Sequence, residues 1–327
     1  MNRPQLAIAG NQLGGDHWEM SDGAPVSGVR SNAAVGCDDV DRAPFFPGAA
    51  RVVFGSAVAV LGVENLIWSK TTEPSIPILP FVPPYALAAW LIGLALLALG
   101  LSIAARVRAR ASAVQLGILL AVCAVLLQFP PMVAKPLDVG LRTGFFEVLA
   151  LAGASLALAG VLPADGVGST RRAQAIAMLG SAGRWLFAIS AVVFGVDHFE
   201  LLSFIASLVP FWIPGALFWA WVTGAGFIAA GICIAVRRLQ QPAAILLGTM
   251  FGLWFVVLHA PRVLGLPFSG VPQAPHNPHE WSSAFIALAM CGASWVFVQR
   301  RAAAGRETTD LAGAAAIAHD VSASAAA

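Results

Sequence analysis

The sequence predicts an all-α integral membrane protein whose eight transmembrane helices form two parallel four-helix bundles. Three observations lead to this fold class. First, 58% of the residues are hydrophobic and only 11% are charged, whereas a soluble domain has roughly 25% charged residues. Second, apolar segments long enough to cross a bilayer, which takes about 20 residues, recur along the chain. Third, the second half of the chain repeats the pattern of the first half.

The predicted domain order is a tail, two repeats joined by a linker, and a second tail. Residues 1–50 contain no signal-peptide core and residues 301–327 are rich in alanine, so both are predicted to be disordered cytoplasmic tails. The first repeat is predicted at 51–165, a cytoplasmic linker at 166–183 and the second repeat at 184–300. The eight apolar runs are 52–68, 85–105, 111–129, 144–162, 185–208, 214–236, 243–259 and 281–298.

The repeats align by short motifs. The sequence GVEN at 62–65 matches GVDH at 195–198, which lies 133 positions later. The segment QFP at 128–130 matches HAP at 259–261, which lies 131 positions later. Since each repeat has an even number of spans, both repeats enter the membrane from the same side, and the duplication is parallel rather than inverted.

The basic residues predict the orientation in the membrane. Of the 19 Lys and Arg residues, 15 fall in the tails and in the loops after even-numbered spans, and the exceptions are Lys70, Lys135, Arg142 and Arg262. Cytoplasmic loops carry an excess of Lys and Arg. We therefore expect both termini to be cytoplasmic, in a membrane of the bacterial inner (plasma) type.

Ionisable residues collect near the outer ends of the predicted spans. A charge at the bilayer centre costs at least ~2.5 kcal/mol, so such residues usually face a bundle interior or a watery cavity. Asp197, His198 and Glu200 interrupt the fifth span, and Glu147 lies in the fourth. We expect an outward-facing polar pocket. The candidate catalytic residues are Asp197, His198 and His259, and the candidate ligand-binding residues are Glu64, Asn65, Glu200, Trp212 and Glu280.

Other interpretations of these residues stay open. Asp197, His198 and Glu200 could form an interfacial helix end, and Glu64 and Asn65 could make a structural hydrogen bond between helices. The histidines and carboxylates are metal-type ligands, but their spacing matches no metal-site signature, and we predict no metal site. Two histidines at similar depth could also hold a haem. A net charge of +2 without a basic cluster gives no reason to expect a nucleic-acid partner.

One stretch of the second repeat resembles a known family. The motif GVDHF at 195–199, the turn VPFWIP at 209–214 and the pair Thr223-Gly224 resemble those of DoxX-like membrane proteins. The resemblance implies a four-helix unit, present here twice, and a role as a membrane subunit of a quinone-linked oxidoreductase system. The chain departs from the family at Phe227, where many relatives carry an acidic residue, and at Asn65, which replaces the histidine in the first copy.

Two functions follow as hypotheses. In the first, a quinone or a soluble or membrane redox subunit acts at the outer pocket, where His198 accepts a proton, Asp197 or Glu200 orients it, and His259 adds a polar contact. In the second, the protein is a non-catalytic scaffold or a small-solute binding protein, and the same charges hold its helices together. The sequence does not decide whether the protein is an enzyme. In both hypotheses the surrounding partner is the lipid bilayer.

Overall fold

The computed structural model describes residues 45–68, 86–164, 169–266 and 278–298, and these residues are helical apart from short turns. All of them belong to one compact unit, Pro44–Ala327. Most of both predicted tails, the proline-rich turn at 80–84 and the loop that contains His276 lie outside the described residues.

The helices follow the predicted apolar runs. In chain order they are α1 (Phe45–Trp68), α2 (Ala86–Ala105), α3 (Ala109–Cys123), a π-helical turn (Ala124–Gln128), α4 (Phe129–Ala134), α5 (Val139–Val161), α6 (Thr170–Glu200), α7 (Leu202–Leu208), α8 (Ala216–Val236), α9 (Gln240–Trp254), a second π-helical turn (Phe255–His259), α10 (Ala260–Val263) and α11 (Pro278–Trp295).

Seven helical segments are long and apolar enough to cross a membrane, which confirms a multi-pass helical membrane protein. The eighth predicted span does form a helix, α11, but it is not among the seven candidates found in the described residues. Its first turn carries His279 and Glu280, and these two polar residues lower the mean hydropathy of the helix. The seven segments are Gly48–Trp68, Leu87–Ala105, Ala109–Ala134, Val139–Val161, Thr170–Glu200, Ala216–Ala235 and Gln240–Val263.

Helix α6 differs most from its predicted bounds. It starts at Thr170, so most of the predicted linker at 166–183 is helical. The hydroxyl of Ser169 caps it by accepting a hydrogen bond from the backbone N–H of Arg172 at 3.4 Å, and few residues in its first half disfavour helix. With 31 residues and a rise of 1.5 Å per residue, α6 is about 46 Å long and extends beyond the ~30 Å hydrocarbon core. It ends at Glu200, and α7 covers the rest of the predicted span.

The helices form a closed ring. Neighbours in the ring are α1 and α2, α2 and α3, α3 and α5, α5 and α6, α6 and α8, α8 and α9, and α9 and α11, and α11 packs against α1 to close it. The first and last helices of each predicted repeat therefore each pack against one helix of their own repeat and one helix of the other repeat. Two self-contained bundles standing side by side would instead pair α1 with α5 and α6 with α11.

Glycine allows close approach where the two halves meet. A Cβ atom added to Gly153 of α5 would lie 2.5 Å from the carbonyl oxygen of Gly183 in α6. One added to Gly292 of α11 would lie 2.5 Å from the backbone nitrogen of Phe54 in α1. Small residues of this kind let membrane helices pack backbone to backbone. The two contacts fix α5 against α6 and α11 against α1.

Several local features occur in both halves. Arg51 donates from Nη1 to the carbonyl oxygens of Ile103, at 2.7 Å, and Ala104. Arg184 donates in the same way to the carbonyl oxygens of Ile234, at 3.2 Å, and Ala235. Each arginine thus contacts backbone carbonyls in the last turn of α2 or of α8, where carbonyls lack the usual partner four residues on. The two π-helical turns occupy matching places in the halves as well.

Candidate functional site

A polar cavity lies where the two halves meet, at the end of the ring where α6 finishes and α5 begins. Following the predicted topology, we call this the outer end, and the cavity the outer cavity. Its volume is about 560 Å³, within the 300–1,000 Å³ typical of small-ligand sites. Its polar wall comprises Gln128, Thr143, Glu147, Asp197, His198 and His279, and its aromatic wall comprises Phe194, Phe204, Phe227, Phe251 and Trp254.

Asp197 is held by an ion pair that joins α5 to α6. Arg142 donates from Nε to Asp197 Oδ1 at 2.7 Å, and its Nη2 lies 2.6 Å from the same oxygen. Thr143 Oγ1 donates to Asp197 Oδ2 at 2.7 Å. Arg142 also donates from Nη2 to Glu200 Oε2 at 2.7 Å. The Asp197 side chain is only 5% exposed, so these contacts replace the water that a buried carboxylate would otherwise need.

His198 is held by its own helix. Its Nδ1 lies 2.8 Å from the carbonyl oxygen of Phe194, and since a carbonyl can only accept, Nδ1 must carry the proton. In the neutral ring Nε2 is then a hydrogen-bond acceptor. It is buried and has no hydrogen-bond partner in the described part of the chain. The predicted orienting partners, Asp197 and Glu200, do not orient this ring, because the Phe194 carbonyl takes that role.

Aromatic rings fix the plane of the His198 imidazole. Trp254 of α9 stacks on it with ring centroids 5.5 Å apart and an interplanar angle of 12°. Phe227 of α8 lies at 5.0 Å in a tilted arrangement. The imidazole is therefore in contact with aromatic rings from both α8 and α9.

Gln128 and Glu147 complete the polar wall. Gln128 is 2% exposed, and its amide nitrogen Nε2 finds no hydrogen-bond partner among the described residues. It ends a π-helical turn just before Pro130 and Pro131, whose missing N–H groups leave helix carbonyls without their usual partners. Glu147 is half-buried on α5 and takes part in none of the ion pairs found within the described ranges. The cavity thus combines a free donor, a free acceptor and a carboxylate.

Glu64 lies at another contact between the halves, Asn65 next to it bonds within the first half, and neither residue lines the outer cavity. Ser282 of α11 donates from Oγ to Glu64 Oε2 at 2.9 Å, and Asn65 donates from Nδ2 to the carbonyl oxygen of Ala89 at 2.9 Å. The Ser282 contact matches that between Thr143 and Asp197, because in each a hydroxyl on the last helix of one half binds a carboxylate on the first helix of the other. The other oxygen of Glu64 is buried without a hydrogen-bond partner in the described structure.

His259 and Glu280 form a separate polar group with Arg262. Arg262 donates from Nε to Glu280 Oε2 at 2.8 Å, and its Nη2 donates to Oε1. His259 ends the second π-helical turn, and its Nδ1 is buried with no partner in the described ranges. Neither His259 nor Glu280 is in the wall of the outer cavity. The structure therefore brings Asp197 and His198 together but does not bring His259 to them.

A second space, which we call the lateral groove, lies between α8 and α9 beneath the segment that links α7 to α8. Its volume is about 470 Å³, and its wall is almost entirely apolar. Trp212 belongs to this groove rather than to the outer cavity. His198 and Trp254 line both spaces. The stacked pair, together with Ile205, therefore lies where the two spaces adjoin.

Arg142, Thr143 and Glu147 were not among the candidate site residues. Arg142 was one of the four basic residues on the outer side, and a cation at the start of an apolar helix requires a nearby anion. Asp197 is that anion, and it lies at the same depth in the membrane as Arg142. The contact between α5 and α6 could not be read from the sequence, because it joins helices from different repeats.

Comparison with known proteins adds no relative: no family model, curated protein or solved structure matches the chain. Within the described ranges, no group of three or more His, Cys, Asp or Glu side chains is placed to hold a metal ion. The architecture and the apolar helices nonetheless show the class of the molecule. It is a multi-pass helical membrane protein embedded in lipid.

Proposed function

We propose that the protein is a membrane subunit of a quinone-linked oxidoreductase system and that it binds a quinol headgroup in the outer cavity. The observation that carries this proposal is the buried Nε2 atom of His198, an acceptor without a partner in the described structure, on the wall of a 560 Å³ cavity. The resemblance of residues 195–224 to DoxX-like proteins supports the choice of ligand class.

The chemistry of the wall suits a hydroxyl-bearing ring. His198 Nε2 accepts a hydrogen bond from a hydroxyl group, and the Gln128 amide donates one to an oxygen. The flat faces of Trp254 and Phe227 are surfaces for ring packing. A quinol releases two protons and two electrons when it is oxidised. His198 accepts one proton and Glu147, on the same wall, accepts the other, while the electrons pass to a separate redox subunit.

The proposal includes the arrangement that the resemblance implies, two DoxX-like four-helix repeats with eight spans, α11 being the eighth. The paired arginine contacts, the paired π-helical turns and the paired hydroxyl–carboxylate contacts support it. So does the shared backbone conformation after α2 and α8, where Arg106 has φ of 64° and Arg237 has φ of 59°. Non-glycine residues seldom adopt positive φ, so its recurrence 131 positions later supports a duplicated unit.

The orientation is also part of the proposal, and cysteine labelling tests it. In a variant without the four native cysteines, Leu137→Cys lies in the turn between α4 and α5, and Val107→Cys lies between α2 and α3. Both native side chains are exposed. We expect a membrane-impermeant maleimide to label Leu137→Cys in intact bacterial cells and Val107→Cys only after lysis, because the arginine-rich side is cytoplasmic. The reverse pattern would invert the topology.

Substitution of His198 tests the binding site. We expect His198→Ala to weaken the binding of methylhydroquinone to the purified protein in lipid nanodiscs at least tenfold, because a buried hydrogen bond to the ligand and the stacked ring are both lost. His198→Gln places an amide oxygen near the position of Nε2 and should restore part of the affinity.

The control for this experiment is Ser155→Ala, since Ser155 is buried in α5, donates its hydroxyl hydrogen to the Leu151 carbonyl of its own helix and lines neither space. It should bind like the unaltered protein. Thermal unfolding of each variant separates lost binding from lost folding. If His198→Ala keeps full affinity and only its melting temperature falls, the histidine is structural and the quinol proposal is wrong.

One observation favours the second hypothesis, a scaffold without catalysis. Both oxygens of Asp197 are occupied by Arg142 and Thr143, so this carboxylate acts as a link between α5 and α6. Such a role needs no ligand. The scaffold hypothesis predicts that Gln128 and Glu147 can be replaced together without loss of any quinone-linked activity, whereas the quinol proposal predicts that this pair is required.

A further inference from the structure

The lateral groove runs along the direction that a lipid chain takes in a bilayer. Its wall on α9 and the following π-helical turn extends from Leu246 to Leu258, which is about 18 Å at 1.5 Å per residue. On α8 it includes Trp219 and Ala220, and Pro210 and Trp212 lie across its outer end. The groove is therefore elongated along the axis of α9.

The groove opens on the surface that faces lipid. Leu246 is 70% exposed, Leu253 is 56% exposed and Trp212 is 62% exposed, and all three belong to its wall. One of its few polar side chains already has a hydrogen-bond partner: Thr223 donates its hydroxyl hydrogen to its own helix, and its Oγ1 lies 2.9 Å from the carbonyl oxygen of Trp219. Such walls disfavour water, because water needs two to four polar partners, and hydrocarbon is the matching occupant.

The inner wall of the groove is where it meets the outer cavity. His198 and Trp254 line both spaces, and His198 carries the buried acceptor without a partner in the described structure. A molecule with a polar head and one hydrocarbon chain matches this arrangement. Its head meets His198 while its chain lies beside Trp254 and Leu253.

We propose that the lateral groove holds the hydrocarbon chain of the ligand whose headgroup occupies the outer cavity, so that the ligand is a membrane-borne amphiphile that enters sideways from the bilayer. This inference rests on the proposed function and narrows it to long-chain quinols. A chain gains little free energy when it passes from lipid to an apolar protein wall, since lipid tails are as apolar as leucine. The position of the chain is therefore a sharper test than affinity.

The test is photo-crosslinking of the full-length protein in phosphatidylcholine nanodiscs. The probe is a hydroquinone with a long alkyl chain that carries a diazirine, and labelled peptides are identified by mass spectrometry. We expect labels to concentrate on residues 246–258, and an excess of methylhydroquinone to reduce them, because both molecules compete for His198. Thr249 lines the groove, so Thr249→Trp should fill it and lower this labelling at least tenfold while methylhydroquinone still binds.

The matched control is Ile118→Trp. Ile118 lies 131 positions before Thr249, on α3, is 51% exposed and lines neither of the two spaces. It should leave labelling unchanged. Equal labelling in the two tryptophan variants, or labels spread over all lipid-facing helices, would overturn the inference and leave headgroup binding intact. If methylhydroquinone does not bind the unaltered protein, the proposed function is wrong. Groove labels that it cannot reduce would then indicate an ordinary lipid site and overturn the inference too.

Discussion

Arg142→Met should lower the free energy of unfolding by about 3 kcal/mol, because it leaves Asp197 as an uncompensated buried charge, a change that typically costs 3–5 kcal/mol. The lower end of that range applies because the Arg142 side chain keeps 21% of its exposure to solvent, which screens the pair. The measurement is equilibrium unfolding of the purified protein in mixed micelles, followed by the fluorescence of its tryptophans.

Two further variants show whether the loss comes from the ion pair itself. Adding Asp197→Leu to Arg142→Met removes the stranded charge, and most of the lost stability should return, since an apolar pair can replace a buried ion pair. Arg171→Met removes an exposed arginine from the start of α6 and should change stability by less than about 0.5 kcal/mol. An Arg142→Met protein as stable as the Arg171→Met protein would show that Asp197 has another source of stabilisation.

Gly183→Leu should prevent the two halves from packing. A Cβ atom at this position would lie 2.8 Å from the Cβ of Leu156 and 2.9 Å from the backbone nitrogen of Ala157, both in α5. Backbone cannot yield as a side chain can, so α5 and α6 would have to separate. Even Gly183→Ala should cost about 1–3 kcal/mol, as is usual when a well-packed core is overfilled. The measurement is the yield of monodisperse protein after size-exclusion chromatography, together with the melting temperature.

Gly226 is the matched control, because it lies in α8 and no atom of the described residues stands within 4 Å of the position that its Cβ would take. Gly226→Ala should be neutral or stabilising by up to about 1 kcal/mol, since alanine is the better helix former. If Gly183→Ala and Gly226→Ala behave alike, then α5 and α6 tolerate separation.

The helices could be predicted from the sequence, but their arrangement in a ring could not. Every predicted apolar run lies largely within helix, because the bilayer sets the length and composition of a span. Hydropathy says nothing about which helix lies beside which. The α5–α6 and α1–α11 contacts depend on glycines such as Gly153 and Gly292, which look alike whether they pack within a repeat or between repeats. The first half of α6 was missed because its arginines lower the hydropathy without opposing helix.

The candidate site, like the fold, could be predicted from the sequence only in part. Asp197 and His198 stood out because charge is rare in a span, and the structure places both on one cavity wall. The role of Arg142 depends on a contact between repeats, which no local pattern encodes. His259 appeared equivalent by depth alone, yet the π-helical turn before Pro261 places it with Arg262 and Glu280. Depth in the membrane could be counted from the sequence, but the direction around each helix could not.

The closing of the ring by α1 and α11 also bears on how the protein is made. Glu64 and Ser282 are 218 residues apart in sequence, and ribosomes add about 5–20 residues per second, so roughly 10–45 s separate the synthesis of the two partners. During that interval Glu64 is already in the membrane while the hydroxyl that binds it does not yet exist. A newly inserted α1 therefore carries its carboxyl group without this hydrogen bond until the last helix arrives.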